Sequence, residues 1–598
     1  MAILLTIFFF IALINPGGSS STNQWMHASV TIQRDSGESR KKKSVSMDFL
    51  VPENIPAKRR AYGTVAPQKK TVDLDSIFQH IESSQNQFVQ LLAEGVAIAG
   101  VSAEPKRRQE VIRMVEYVET LCKKRKECVS TRLCENPKKT QTINDGKDTI
   151  PLPPILLAQF GNDPKKKTVM IYGHLDVQPA YLSDGWNTEP FKLTEIDGKL
   201  YGRGATDDKG PCLGWLCTLE SYEKCNIPLP VNIRFVFEGM EESGSVGLPE
   251  LVRSLAVPGG YLDPKVIDFC CISDNYYLGK SKPCLTHGLR GTAYFHASIQ
   301  SSTKDLHSGV LGGSVHECMI DLVHLMSKLV DSHGNIKVPG IMDNVRKVTD
   351  EEMKSYKTME FDLNQYKEDA GVSGISDKLL YASKEEILMH RWRYPTCTIH
   401  GIQGAFDGVG SKTVIPRKVV GKFSLRLVPD QTPQEIEEKV TKFMHAEFEK
   451  LKSPNKFSIK MAKGSSPWIC SPNSPNFVAA RKATVRIHGM EPDMTREGGS
   501  IPITLVFQEC CESDVVLLPI GACDDMAHSQ NEKIDRQNFI NGMKTFAAYL
   551  VELSVLEDKK LQDAAKNTQQ ANKKLKSWRR RCKKDQTIMG CDCLECQE

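Results

Sequence analysis

The stretch Lys167-Thr-Val-Met-Ile-Tyr-Gly-His-Leu-Asp-Val-Gln-Pro179 decides the fold. Its residues 168–172 form a short apolar run rich in β-branched side chains, which predicts a buried strand. Gly173 ends the run, and His174 and Asp176 follow at once. An imidazole can ligate a metal ion, and a carboxylate two residues away can orient it or restrain nearby acid–base chemistry. One such pair is more often structural than functional. A functional role becomes the better interpretation only if similar turns with acidic or imidazole side chains follow other predicted strands.

The same design recurs four more times along the chain. The later turns carry Asp207 with Asp208, Glu241 with Glu242, Asp274 in Ile272-Ser-Asp-Asn275, and His528 in Gly521-Ala-Cys-Asp-Asp-Met-Ala-His-Ser-Gln530. In a parallel sheet, ligands collect beyond the carboxyl ends of the strands. Five acidic or imidazole turns at such ends therefore predict one shared site.

The fold class predicted from these patterns is α/β. The apolar runs 168–172, 231–237, 266–272 and 515–520 are continuous rather than alternating. Continuous runs are typical of a parallel sheet that is covered by helices on both faces. We therefore predict a mostly parallel catalytic domain built from residues 75–289 and 467–557.

Residues 290–466 have a different pattern and predict an inserted α+β module. The predicted elements are a strand at 291–299, a helix at 314–330, strands at 397–403 and 418–428, a helix at 433–451 and a strand at 456–462. This order is that of a ferredoxin-like split βαβ module. The long polar segment between the first helix and the strand 397–403 has no predicted structure.

The two ends of the chain differ from its body. Residues 1–21 combine an apolar run with small residues and fit a signal peptide, but the run is too short to span a membrane. Residues 22–74 are polar and basic and predict a disordered leader. Residues 558–598 form a basic, Cys-rich tail, which is either solvated or a Cys₄ zinc site.

Composition sets wide bounds on function. The 598 residues are 40% hydrophobic and 25% charged, which are values of globular proteins. The net charge of +5 arises from 78 basic and 73 acidic residues, so the whole protein has no charge excess that favours nucleic acid. We therefore expect no nucleic-acid partner, with the basic tail as the alternative that would bind one through salt-sensitive contacts.

The ligand types at the shared site predict a pair of divalent ions. Two imidazoles and three carboxylates without a thiolate suit zinc or manganese. Five ligands are too many for one tetrahedral ion with an open position, but they suit two ions about 3.5–4 Å apart with a bridging carboxylate. The adjacent Glu241 and Glu242 can point apart, one to a metal ion and the other to a water molecule as a general base. The chain has no Gly-x-Ser-x-Gly nucleophile turn and no phosphate loop.

Eight motifs together resemble a known enzyme family. They are His174-Leu-Asp-Val-Gln-Pro, Gly202-Arg-Gly-Ala-Thr-Asp-Asp-Lys-Gly-Pro, Glu238-Gly-Met-Glu-Glu-Ser-Gly-Ser, Cys271-Ile-Ser-Asp-Asn, Asp305-Leu-His-Ser-Gly-Val, Arg391-Trp-Arg-Tyr-Pro, Lys412-Thr-Val-Ile-Pro-Arg-Lys and Thr495-Arg-Glu-Gly-Gly-Ser-Ile-Pro. Over about residues 75–557 the chain resembles the di-metal aminoacylase/carnosinase peptidases, and within them the branch of cytosolic non-specific dipeptidases and carnosinases. One departure is Ala205, where the family would have Ser.

The resemblance implies a role for each ligand. One ion would be held by His174, Asp207 and Asp274, and the other by Asp207, Glu242 and His528, with Asp207 as the bridge. Glu241 would be the general base, and Asp176 would be the carboxylate behind His174.

The resemblance also implies a homodimer that acts on short peptides. The inserted module would be the dimerisation or lid domain, and His307 would reach into the partner's site. The substrate's terminal carboxylate would be held by Thr413, Arg426 and Ser500. The expected reaction is hydrolysis of dipeptides with a free C-terminus, with an N-acyl-amino-acid deacylase or a carboxypeptidase as the alternative on the same scaffold.

Two further alternatives remain at this point. A non-catalytic homologue would have lost a ligand or the base, and neither is lost here. We expect a cytosolic enzyme, because the body resembles one, and secretion is the alternative that the signal-like residues 2–14 imply.

Overall fold

The architecture was examined in a computed structural model, which describes residues 26–32, 43–49, 72–143 and 147–556. In that part of the chain, nine strands form a central sheet. Its middle strands run parallel in the order Val515–Leu517, Phe269–Ile272, Thr168–His174 and Asn232–Glu238. These are the four strands predicted from continuous apolar runs, so the prediction of a mostly parallel α/β core is confirmed.

The outer strands of the central sheet were not predicted, and most of them pair antiparallel. On one side Asn232–Glu238 pairs antiparallel with Ile155–Phe160, which pairs antiparallel with Cys128–Cys134. On the other side Val515–Leu517 pairs antiparallel with Cys284–Leu289. That strand also pairs antiparallel with Trp468–Ile469 and parallel with Asp493–Glu497.

Helices cover both faces of the central sheet. In the strand Thr168–His174, Tyr172 and Gly173 point to opposite faces because side chains alternate along a strand. The ring of Tyr172 contacts Phe507, with 5.3 Å between the ring centroids, whereas a side chain at Gly173 would collide with Cys212 Sγ. Glycine at 173 therefore lets a helix approach the strand that ends in the predicted site. The helices of this domain are Leu74–Ser83, Gln85–Val96, Arg108–Lys123, Lys209–Lys224, Leu248–Leu255, Pro475–His488, Ile503–Cys511 and Arg536–Val555.

The inserted module contains the predicted ferredoxin-like arrangement. Its strands lie in the order Thr396–Gln403, Lys418–Leu427, Gly291–Gln300 and Lys456–Ser465, and every neighbouring pair is antiparallel. The helices Cys318–Met326 and Pro433–Leu451 pack on this sheet through a shared core. The helix predicted at 314–330 is shorter than expected, because it begins only at Cys318.

The polar segment without predicted structure forms a small helical layer, here called the cap segment (residues 350–392). Its helices are Asp350–Thr358, Leu363–Asp369 and Lys384–Trp392. The first and the last of these helices share a core of Tyr356, Met359, Leu388 and Trp392, and Leu278 of the catalytic domain packs against it. The cap segment is therefore held against the domain that carries the predicted site.

Short strand pairs complete the described fold of the body. They are Thr140–Ile143 with Asp148–Pro151, Thr194–Ile196 and Lys533–Asp535 with Lys199–Tyr201, and Leu306–His307 with Val414–Ile415.

The structure describes part of the leader that was predicted to be disordered. There Met26–Ile32 and Lys43–Phe49 pair antiparallel. The signal-like residues 1–21 and the Cys-rich tail 558–598 lie outside the described residues. Within the described ranges, none of the helices has the length and apolar character needed to cross a bilayer.

We expect a half-buried histidine in the central sheet, His287, to make stability depend on pH. His287 lies in the strand Cys284–Leu289, and its Nδ1 donates to the Cys470 carbonyl at 3.3 Å. Burial, helped by the nearby charge of Arg496, lowers the pKa of His287 to about 4 from the ordinary 6.5. The stabilisation is complete above pH 6.5, where the unfolded chain is also neutral, and is lost as the pH falls from 6.5 to 4.

We predict that wild type loses more stability than His287→Asn between pH 7 and pH 4, by as much as about 3 kcal/mol. Asparagine can keep the hydrogen bond to Cys470 but does not titrate. Urea unfolding at a series of pH values measures the difference. If the free energy of unfolding depended on pH in the same way for both proteins, the assignment of this pH dependence to His287 would be wrong.

Candidate metal centre

His174 and Asp274 meet because their strands are parallel neighbours. His174 ends the strand Thr168–His174, and Asp274 follows the adjacent strand Phe269–Ile272. His174 Nε2 lies 3.7 Å from Asp274 Oδ1 and 3.0 Å from Asp207 Oδ1. The first predicted ligand group is thus assembled, with its ligand atoms within 4.8 Å of one another.

Asp207 also belongs to the second ligand group. Its Oδ2 lies 3.1 Å from His528 Nε2, which lies 3.0 Å from Glu242 Oε2. These ligand atoms also lie within 4.8 Å of one another. Glu242 Oε2 accepts a further hydrogen bond from Gln178 Nε2 at 2.8 Å. The one carboxylate of Asp207 therefore connects the two groups, as a bridging ligand requires.

The donor set fits divalent cations. Each group combines one imidazole nitrogen with carboxylate oxygens, which zinc and manganese accept. Hydrogen bonds to Asp207 and Glu242 raise the pKa of His528 to about 11. Burial alone would raise the pKa of Asp207, but hydrogen bonds from His174 and His528 outweigh it and lower the pKa. Concentrated negative charge of this kind is what a bound cation compensates.

Asp176 orients both His174 and the glutamate pair. His174 Nδ1 donates to the backbone carbonyl of Asp176 at 3.1 Å, and the Asp176 carboxylate is farther away at 3.5 Å. That carboxylate instead accepts the backbone N–H groups of Glu241 and Glu242, each at 3.1 Å. Asp176 is fully buried, so it fixes the turn in which one glutamate joins a ligand group.

Glu241 points into a cavity rather than into a ligand group. It lines a cavity of about 760 Å³ together with Asp207, Asp274 and His528. Burial is the main cause that raises the pKa of Glu241 well above its ordinary value, and the nearby carboxylates of Asp274 and Glu242 add to it. The two adjacent glutamates thus have different surroundings, since Glu242 joins a ligand group and Glu241 lines the cavity.

Of the four predicted substrate-binding residues, the chain brings two together. Ser500 lines the cavity, and its hydroxyl accepts a hydrogen bond from Arg426 Nη1 at 3.0 Å. His307 and Thr413 lie instead on the inserted module, where Ser308 N donates to the Thr413 carbonyl at 3.2 Å. Both are exposed, and neither is among the described residues that line the cavity.

Glu532 supports the Asp207 turn and was not found from the sequence. Its Oε1 accepts the backbone N–H groups of Gly204, Thr206 and Asp207 at 3.0, 3.1 and 3.2 Å. Its Oε2 pairs with Arg203 Nη1 at 2.6 Å, and both side chains are buried. A single acid four residues after His528 carries no recognisable motif, so no sequence signal marked it.

A third acidic group lies next to this turn, but a lysine already occupies its centre. Asp524, Asp525 and Asp535 surround Lys533 Nζ at 3.0, 2.6 and 3.3 Å. Asp525 also accepts from Thr206 Oγ1 at 2.8 Å. The lysine takes the place that a cation would need, so this group acts as a support for the turn.

Comparisons with known proteins give consistent matches over most of the chain. The family model described as peptidase family M20/M25/M40 matches residues 170–552. The chain is 45% identical to the Beta-Ala-His dipeptidase of Homo sapiens, over 82% of this chain and 95% of that protein. It is 46% identical to the Cys-Gly metallodipeptidase DUG1 of Saccharomyces cerevisiae, over 80% of this chain and 97% of that protein.

Solved structures give the same result. The crystal structure of human carnosine dipeptidase 1 matches with a TM-score of 0.73 and 45% identity, over 81% of this chain and 99% of that one. The structure of the di-peptidase Dug1p from Saccharomyces cerevisiae matches with a TM-score of 0.75 and 44% identity, over the same shares.

We predict that Glu532→Ala destabilises the protein and weakens its binding of divalent ions. The change removes the acceptor of three N–H groups and leaves Arg203 buried without its counter-ion, which costs about 3–5 kcal/mol. Urea unfolding and calorimetric titration with Mn²⁺ measure the two effects. Glu195→Ala is the control, because it removes an exposed ion pair with Arg536 that contributes about 1 kcal/mol or less. An unchanged stability and Mn²⁺ affinity in Glu532→Ala would contradict the role of Glu532.

Proposed function

The chain belongs to peptidase family M20/M25/M40, and from that premise we propose that it hydrolyses dipeptides and other short peptides with a free C-terminus, using two divalent ions. The observation that carries the proposal is the position of Asp207. Its carboxylate lies 3.0 Å from His174 Nε2 and 3.1 Å from His528 Nε2, so it belongs to two ligand groups at once. The named relatives act on Beta-Ala-His and Cys-Gly, which are both dipeptides.

We assign three residues to each ion. One group is His174, Asp207 and Asp274, and the other is Asp207, Glu242 and His528. Zinc and manganese both accept these donors. When bound, the ions would lower the pKa of a water molecule and polarise the carbonyl of the peptide bond that is cleaved.

Glu241 is the general base of the proposed reaction. It would take a proton from the attacking water and deliver it to the leaving amine. Its position supports this role, because it lines the cavity and its backbone N–H donates to Asp176 at 3.1 Å.

The substrate's terminal carboxylate would bind at Arg426 and Ser500. The guanidinium of Arg offers a planar fork that matches a carboxylate. The hydrogen bond between the two side chains, at 3.0 Å, supports a joint role, and Ser500 places it at the cavity wall.

His307 and Thr413 would complete the site of a partner subunit in a homodimer. Their exposure on the inserted module supports this, and so do the exposed apolar side chains of Val310, Ile320 and Val323 on the same module.

Mixing Glu241→Gln with His307→Ala protein tests whether the site is shared between two subunits. Each variant alone should be inactive, and mixed dimers should recover activity because one of their two sites is intact. No recovery in a preparation that exchanges subunits would contradict the shared site.

We predict that Glu241→Gln abolishes turnover and leaves metal binding intact. Glutamine keeps the shape of the side chain but accepts no proton, so kcat for dipeptides such as Ala-Gly should fall about 10²–10⁴-fold. The assay uses chelator-stripped protein with Mn²⁺ or Zn²⁺ added back, and calorimetry counts the bound ions. Glu242→Gln is the matched control, because it removes a ligand and should weaken the binding of one ion.

Two outcomes would overturn this proposal. Turnover of N-acetyl amino acids but not of dipeptides would favour the deacylase. No turnover with either ion, in a folded protein that binds metal, would exclude the dipeptidase.

A further inference from the structure

We propose that Arg391 determines specificity by binding an acidic side chain on the C-terminal residue of the substrate. The inference rests on the proposed dipeptidase function and adds a preference for dipeptides that end in Glu or Asp. It follows from the surroundings of Arg391, from its position beside Ser500, and from the charges of the cavity wall.

Aromatic rings hold the guanidinium of Arg391 in place. It lies 6.0 Å from the ring centroid of Phe361, 5.2 Å from that of Tyr366 and 6.0 Å from that of Trp392. Arg is weakly hydrated and stacks on aromatic faces without losing its N–H donors. Arg391 lines the cavity, and within the described residues its guanidinium makes no hydrogen bond or ion pair. Its donors are therefore available to a bound molecule.

Two other cationic side chains, Lys280 and Arg496, line the cavity near the cap segment, and both already have acidic partners. Lys280 lies 3.6 Å from Asp524 and 4.0 Å from Asp369, and Arg496 lies 2.9 Å from Glu352. Both cations are therefore already paired with carboxylates of the protein. Arg391 differs from both, although it lines the same cavity.

Two acidic side chains that line the same part of the cavity, Glu360 and Asp362, accept hydrogen bonds from groups other than Arg391. Glu360 accepts from the hydroxyl of Ser281 at 2.9 Å. Asp362 caps the helix Leu363–Asp369 by accepting the backbone N–H groups of Asn364 and Gln365. The N–H groups of the Arg391 guanidinium are therefore available to donate hydrogen bonds to the carboxylate of a bound substrate.

Arg290 connects Arg391 to the proposed carboxylate site. Its Nη1 donates to the carbonyl of His390 at 3.3 Å, and its Nε donates to the carbonyl of Gly498 at 3.1 Å. Its own carbonyl accepts the hydroxyl of Ser500. Arg391 thus lies next to the end of the cavity where the terminal carboxylate would bind. The side chain of the C-terminal residue leaves the same carbon as that carboxylate, and the proposal places this side chain against Arg391, which lines the same cavity as Ser500.

The chemistry of Arg391 favours a carboxylate over its neutral isostere. The planar fork can donate two parallel hydrogen bonds to a carboxylate, whereas an amide oxygen accepts without the charge. Hydrogen bonds to charged groups contribute enough to change kcat/KM about 10–100-fold. Ala-Glu and Ala-Gln differ in this group alone, so they isolate the effect.

The experiment compares kcat/KM for Ala-Glu and Ala-Gln in the metal-loaded wild type, Arg391→Met and Arg391→Lys. Wild type should prefer Ala-Glu. Arg391→Met keeps an apolar stem against the rings and should lose about 10–100-fold on Ala-Glu, with little change on Ala-Gln. Arg391→Lys should lie between them, because Lys keeps the charge and loses the fork. Lys354→Met is the matched control, since it removes an exposed cation of the cap segment and should change neither value.

The outcomes separate this inference from the function on which it rests. An equal loss on both dipeptides in Arg391→Met would overturn it and assign Arg391 to the terminal carboxylate or to the fold, and thermal unfolding would tell these apart. A wild-type preference for Ala-Gln, or an Arg391→Met protein that behaves as wild type, would also overturn it. Failure of wild type to cleave either dipeptide would instead overturn the proposed function, and this inference with it.

Discussion

The carboxylate of Asp207 has to sit between two imidazoles, and much of the described structure serves that position. His174 Nε2 lies 3.0 Å from one oxygen and His528 Nε2 lies 3.1 Å from the other. The carboxylate is buried, so the charge would be costly without these partners. Glu532 accepts the backbone N–H groups of Gly204, Thr206 and Asp207, and it pairs with the buried Arg203. The turn that carries Asp207 is thereby fixed before any ion binds.

The parallel centre of the sheet explains why distant residues meet at this carboxylate. His174 and Asp274 follow adjacent parallel strands, so they leave the sheet at the same edge. Gly173 lets the neighbouring helix approach directly behind His174. The cap segment then closes one wall of the cavity with side chains that lie far from the catalytic motifs in the sequence.

Prediction from sequence succeeded where a physical pattern was local. Continuous apolar runs identified the buried parallel strands, and the acidic and imidazole turns after them predicted one shared site. The choice of Asp207 and Glu242 over the acids next to them came from the family resemblance. The outer antiparallel strands were missed because a short strand such as Ile155–Phe160 has no flanking motif. The cap segment was missed because its core is only four residues within a polar segment.

Long-range support was also beyond the reach of sequence patterns. Glu532 acts through backbone groups more than 300 positions earlier, and no periodicity records such a contact. Arg391 was visible only as part of a family motif, since its aromatic surroundings, and the lack of an acidic partner among the described residues, are properties of the folded chain. The roles of His307 and Thr413 stay predictions, because they depend on a second subunit.

Anomalous diffraction from crystals of the full chain grown with Mn²⁺ tests the central position of Asp207 most directly. We expect two anomalous peaks in each subunit, one beside His174 and Asp274 and the other beside Glu242 and His528, with the Asp207 carboxylate between them. A single peak, or two peaks of which only one is next to Asp207, would contradict the bridging carboxylate on which this account depends.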